Sequence, residues 1–345
     1  MKKIRDVAST NLEKPLSLVP FVLRTATVES VIVVYIPPSA ELIAVTTNRK
    51  GEYWIRRGTD KREMTDAEIK AAIAAGQAAI DTALRFDRQK AADPTRLHEI
   101  SERRILWEVL DAQFLETIGQ SRYMRLTLTP HALRPDAVNT SDPNLRMELS
   151  HPTQGQRDYA WNIRTGSWGA YITSDPVGVH SKPLEKNGLK LPFISLSRSG
   201  HLEYWVAVEK YNFQPGLGRP PFSADPSPFE FWPTPVCEYP VSFLRYAKQL
   251  YGKLGISCDL TLRMEYRNIK GCVLPPYIPG NSVSFERPRA YPYSDFQPRE
   301  VVLSGDWDPD VSALQIVTKF YEAFGFDRSH IPFFANGKFD PPRPY

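Results

Sequence analysis

"EYWIRRGTDKREMTDAEI", residues 52–69, joins one kind of secondary structure to another. Tyr53, Trp54 and Ile55 are residue types that fit a pleated strand, and Gly58 accepts the backbone angles of a tight turn. Thr65 has the side chain of an N-cap and Glu68 stands three residues later, the spacing of a capping box. A strand, a turn and a helix start are therefore predicted within a short span. That change of period makes the chain a mixture of strands and helices.

Toward the C-terminus, Ile69, Ala72, Ile73, Ala79, Ile80, Ala83 and Leu84 recur at spacings of three and four. They form one apolar face over about five turns, which Asp93-Pro94 interrupts. A second helical stretch is expected at about 95–118, with Leu97, Ile105, Leu106, Val109, Leu110 and Phe114, closed by Gly119. Toward the N-terminus, residues 16–57 read as a small sheet. "LSLVPFVLRTATV" alternates in part, "SVIVVYIPP" is an apolar run stopped by Pro37-Pro38, and "LIAVTTN" leads into residues 52–58 through Asn48-Arg49-Lys50-Gly51, which has hairpin-turn chemistry.

The texture changes after 121. "RYMRLTLTP", "DYAWNIRTGSWGAYITS", "LPFISLSRSGHLEYWVAVE", "FEFWP" and "SCDLTLRMEYRNIKGCVLPP" read as strands, with a hairpin centred on Ser199-Gly200. Two helices interrupt them. One covers 240–254, with Val241, Leu244, Ala247, Leu250, Tyr251 and Leu254 on one face and Gly255 as its C-terminal stop. The other covers about 309–324, opened by Asp308 and Pro309, with Ala313, Val317, Phe320 and Phe324 as its buried stripe and Gly325 at its end. The expected class is α+β: a small mixed sheet with helices, then a β-rich domain with two helices. The expected divisions are a sheet domain with its helix at 1–92, a helical connector at 93–120 and a β-rich domain at 121–345.

Composition narrows the functional classes. A net charge of +4 is too small to imply nucleic acid, so only local clustering can carry that argument. The three cysteines Cys237, Cys258 and Cys272 form no C-x-x-C pair, which argues against a disulfide framework or a zinc site and fits a reducing cytoplasm. The longest apolar run, "VIVVYI", is too short for a bilayer, and "MKKIRDVAST" lacks the apolar core of a secretory signal. No membrane association and no cofactor are expected.

The clustering lies in the opening stretch and the residues just before it. Between 49 and 62, Arg49, Lys50, Arg56, Arg57, Lys61 and Arg62 face only Glu52 and Asp60 as opposing charges, with Tyr53 and Trp54 interleaved. Strand alternation puts Tyr53, Ile55 and Arg57 on one face and Trp54 and Arg56 on the other. Cations beside a stacking ring are what single-stranded nucleic acid requires. The competing reading makes Trp54 a core residue and the charges a solvated edge that blocks strand pairing.

The order of features in 15–69 resembles the C-terminal half of the Schlafen-type AlbA-like domain. The residues that carry the resemblance are "VIVVYIPPS", then Tyr53, Arg56 or Arg57, Gly58, Thr59, Arg62, Thr65 and Glu68, with "IRDVASTNLEKPL" as the preceding linker. "VSALQIVTKFYEAFGFDRSHIPFF" resembles the last helix of the C-terminal region found in bacterial members. The resemblance implies DNA or other nucleic-acid binding in a regulatory or host-defence setting. The family's N-terminal half, with the acidic Glu and Glu-Phe-Lys motif of its nucleases, has no counterpart here, so nuclease activity is not expected. An ATP site is not expected either, because no G-x-x-x-x-G-K-[ST] run exists. Expected partners are single-stranded or duplex nucleic acid. Alternatively, the chain is an interaction module that pairs with another copy or with a chain supplying the missing half-domain.

Other motifs have structural readings. "HEISE" at 98–102 lacks the second histidine of a zinc helix. "GDWDPD" at 305–310 lacks the glycine and glutamate of a calcium loop, and its acids suit a helix N-terminus. "PGLGRPP" at 215–221 reads as a proline-rich loop. His98, His131, His151, His180, His201 and His330 show no ligand spacing and read as ordinary surface or core histidines. Trp161, Trp168, Tyr171, Tyr204, Trp205, Phe229, Phe231 and Trp232 read as core and cross-strand packing.

Overall fold

The structure is a computed structural model, and it describes residues 19–24, 30–35, 53–57, 60–92, 122–150, 170–172, 177–180, 184–185, 188–189, 193–208, 229–275 and 289–340. It is α+β. Strands β1 (Val19–Arg24) and β2 (Ser30–Tyr35) pair antiparallel, as do β3 (Trp54–Arg57) and β4 (Asp60–Glu63). Among the described residues these are two separate ladders rather than one small sheet. Residues 60–63, adjoining the expected turn, form a strand of their own. The hairpin expected at 48–51 and the helix expected at 95–118 lie outside the described residues.

Helix α1 (Asp66–Ala92) begins where the capping box places it. The Thr65 backbone N–H donates to Glu68 Oε2 at 3.0 Å, and the Glu68 backbone N–H donates to Thr65 Oγ1 at 3.4 Å. It runs longer than the apolar spacing indicates and stops just before Asp93-Pro94, since proline disfavours helix at the residue before it. Its stripe is covered unevenly: Ile73 is 57% exposed, whereas Ala83, Leu84 and Asp87 are buried.

The centre of the molecule is a seven-stranded sheet. Its strands are β5 (Tyr123–Pro130), β6 (Ala170–Ile172), β7 (Val177–His180), β10 (Phe193–Leu196), β11 (Leu202–Ala207), β12 (Leu260–Arg267) and β13 (Val301–Leu303). A two-stranded ladder, β8 (Leu184–Glu185) and β9 (Gly188–Leu189), lies between β7 and β10 in sequence. The sheet order is β13-β12-β5-β11-β10-β7-β6, and each adjacent pair is antiparallel. The hairpin between β10 and β11 turns at Ser199-Gly200 as expected, with Gly200 at φ 85°, a conformation glycine adopts readily.

Alternation gives the sheet two unlike faces. Met124, Leu126 and Leu128 of β5 pair with Val206, Tyr204 and Leu202 of β11 on one side, and with Tyr266, Met264 and Leu262 of β12 on the other. This apolar face packs against α3 (Pro233–Leu254) and α4 (Pro309–Ala323). Phe231 and Phe320 lie edge-on to each other at 5.3 Å, and Tyr266 sits 4.5 Å from Phe320. The opposite face carries Arg125, Thr127, Thr129, Ser195, Glu203, Thr261, Arg263 and Glu265. The C-terminal half of α1 lies on it.

Three expectations need correction. The helix expected at 240–254 begins at Pro233, because first-turn prolines lose no intrahelical hydrogen bond. Pro240 lies inside it and removes the donor to the Val236 carbonyl. Burial of Val236, Tyr239, Phe243 and Leu244 holds the helix through that break. "FEFWP" is not a strand, since only Glu230 forms an isolated bridge, with Val273. A short helix, α2 (Pro143–Ser150), has no counterpart in the expectations. The α4 cap is as expected, with Asp308 Oδ1 accepting from the backbone N–H groups of Asp310 and Val311. A short hairpin of β14 (Phe334–Ala335) and β15 (Lys338–Phe339) follows α4. Among the described residues no helix is long and apolar enough to cross a membrane.

Candidate functional site

The β3–β4 ladder pairs Trp54 with Glu63, Ile55 with Arg62, Arg56 with Lys61 and Arg57 with Asp60. Residues opposite each other share a face, so Trp54, Arg56, Lys61 and Glu63 are on one side, and Ile55, Arg57, Asp60 and Arg62 on the other. Trp54 is 39% exposed and is not a core residue. The Lys61 ammonium stands 4.8 Å from the centre of its ring. Tyr53 and Ile55 are half-buried, and the Arg56 and Arg57 side chains lie outside the described set.

Arg62 is committed elsewhere. Its guanidinium donates to Glu68 Oε2 at 2.8 Å and Oε1 at 2.5 Å, and to the Glu63 carbonyl at 3.0 Å. Those Arg62 bonds, with the Thr65 backbone N–H, lower the Glu68 pKa to about 2. The pair straps β4 to the first turn of α1, so hairpin and helix form one arm. Of the eight residues expected to bind nucleic acid, the structure gathers Trp54 and Lys61 on one face and assigns Arg62 to the strap. It puts Tyr53 on the wall of a neighbouring cleft. Arg49 and Lys50 lie outside the described residues.

That cleft, of about 940 Å³, lies along β13 at the edge of the large sheet. Ile73, Gln77 and Ile80 of α1 form one wall, and Val311, Leu314 and Thr318 of α4 line the other. Ile73 and Val311, exposed by 57% and 41%, are both on it.

A second charged constellation is buried under α1. Arg125 Nη2 donates to Asp87 Oδ1 at 2.9 Å and to Glu203 Oε2 at 3.1 Å, while Nη1 donates to Glu265 Oε1 at 3.4 Å. Arg263 donates to the other Asp87 oxygen, and Ser195 Oγ donates to Glu203 Oε1 at 2.8 Å. Burial works against the Asp87 carboxylate, yet the Arg125 and Arg263 guanidiniums beside it hold its pKa below the usual value. Burial likewise opposes the Arg125 charge, and its three carboxylates raise its pKa above the ordinary one. His201 is fully buried, with Nδ1 2.9 Å from Thr129 Oγ1, and burial holds its imidazole below the ordinary pKa.

The constellation is structural in kind. A substrate has no route to groups with almost no accessible surface, and guanidiniums occupy the space among the acids. Among the described residues no group of His, Cys, Asp or Glu is arranged to hold a metal. The "GDWDPD" acids are likewise engaged: Asp306 pairs with Lys248, Asp308 caps α4 and Asp310 takes a two-pronged bond from Arg245. Tyr204, Trp205, Phe229 and Phe231 are packing residues as expected. The buried network was missed in the sequence. Its one local signal is Asp87, next in line on the apolar stripe of α1.

No protein-family description matches the chain, nor does any curated protein or solved structure.

Proposed function

We propose that this chain is a nucleic-acid-binding protein, of regulatory or host-defence type, that takes single-stranded segments on the outer face of its β3–β4 hairpin. The observation that carries the reading is the exposed Trp54 indole with the Lys61 ammonium beside it and Arg56 on the same face of the ladder. A base stacks on the ring and the cations meet phosphate. The resemblance of residues 15–69 to the Schlafen-type domain supports the same reading. Fluorescence anisotropy with a labelled oligothymidylate tests it. Trp54→Ala is expected to weaken binding about 5- to 150-fold, the loss of one stacked base at roughly 1–3 kcal/mol. Lys61→Ala is expected to reduce the slope of log affinity against log salt by about one. Arg62→Ala is expected to leave that slope unchanged, because Arg62 serves the strap. Binding indifferent to salt and to Trp54 overturns the proposal.

A second reading is an interaction module. Exposed Ile73 and Val311 on facing walls of the β13-edge cleft favour it, since the cleft offers apolar contact beside a sheet edge.

A further inference from the structure

The packing under α1 leaves one carboxylate charge unbalanced, which draws a proton toward the site, and full burial of the imidazole works against that proton. Asp87, Glu203 and Glu265 bring three negative charges, Arg125 and Arg263 bring two positive ones, and Arg267 is matched by Asp295. His201 sits at the centre of this arrangement. Asp87 and the Phe86 ring face it from α1, Thr129 and Arg125 from β5, and Glu203 from β11, with Arg263 and Glu265 of β12 behind them. Among the described residues its Nε2 has no partner within 3.5 Å, and it lies 3.9 Å from Asp87 Oδ1 and 3.8 Å from Glu203 Oε2. Those two oxygens are the ones that accept from Arg125 Nη2. A proton on Nε2 must therefore compete with a guanidinium for both acceptors, and the imidazolium would be buried beside another cation.

We infer that His201 makes the docking of α1 on the sheet proton-sensitive: acidification from neutral pH releases α1, because the imidazole takes up its proton readily only once that contact opens to water. An exposed histidine titrates near 6.5. The docked imidazole binds its proton less readily, so the open state gains protons first as pH falls. Docking is then at full strength above about 6.5 and weakens below it, by at most about tenfold per pH unit for one proton. The Asp87 carboxyl, which faces His201 from α1, is held below the usual carboxylate range and so outside this window. Because α1 carries the hairpin and one wall of the cleft, its release alters both.

Hydrogen exchange on the full chain tests this, with rates corrected for the intrinsic pH dependence of amide exchange. Protection of α1, relative to α3 and α4, is expected to drop by up to about fivefold between pH 6.5 and 5.5. The nontitrating variant His201→Gln is expected to remove that drop. Unchanged relative protection in the wild type, or a drop that persists in His201→Gln, overturns the inference. If the variant does not fold, the Hε1 resonance of His201 in the native protein decides. A midpoint below 6.5 supports release, and one at or above 6.5 overturns it.

Discussion

Arg125 is a guanidinium with about 1% of its side chain exposed and three carboxylates around it. Such a group is held by geometry, because the cost of removing its charge from water is offset only while every partner is in place. Arg125→Met fills the space but leaves Asp87, Glu203 and Glu265 facing one another without their shared cation. A stability loss of about 3–5 kcal/mol is expected in urea unfolding. Arg198→Ala is the control, since the Arg198–Asp136 pair is exposed at 3.9 Å and such pairs contribute less than about 1 kcal/mol. This network was not legible beforehand because its bonds join residues 38, 78 and 140 apart in the chain. A local pattern shows that Arg125 stands between Met124 and Leu126 in an alternating strand. It does not show that the face it points to is covered.

At the scale of the element, legibility followed how local the determinant is. The α4 cap, the Gly200 turn and the Thr65/Glu68 box are made by residues within a few positions of one another, and each is where the sequence indicates. Helix α3 starts at Pro233, ahead of the expected 240, because a first-turn proline starts a helix without losing a bond and tertiary burial carries the helix past Pro240. The site followed the same divide: the face of Trp54 could be read from alternation, whereas the place of Lys61 beside it depends on the unexpected strand β4, and the loss of Arg62 to Glu68 on how that strand meets the helix. Thr65→Ala is expected to lower stability by about 1 kcal/mol, and Thr65→Ser to restore most of it, as read by thermal unfolding. The Glu68 carboxylate is depressed from 4.5 to about 2, so its contribution is complete above pH 4.5 and is lost as pH falls through that interval.

At the scale of the molecule, the two readings of function predict different behaviour in solution. If copies of the chain meet through the β13-edge cleft, light scattering gives a mass above the 39.2 kDa of one chain. Ile73→Glu with Val311→Glu is then expected to return it to one chain while leaving oligothymidylate binding intact. A wild type that is strictly monomeric and captures no partner removes the second reading and leaves the hairpin reading standing.

Asp87 also settles where α1 can sit along its own axis. The residues that precede it on the sheet-facing side of this helix are small or apolar: Ile80, Ala83, Leu84 and Phe86. Such a surface tolerates sliding, since one methyl-bearing residue can replace another at little cost. A slip of one turn, about 5.4 Å, would bring Ala83 and Leu84, or Lys90, opposite Arg125 and Arg263. Neither alternative offers a carboxylate, and the second adds a like charge. One buried acid therefore indexes the whole helix, and with it the position of a tryptophan more than thirty residues earlier in the chain.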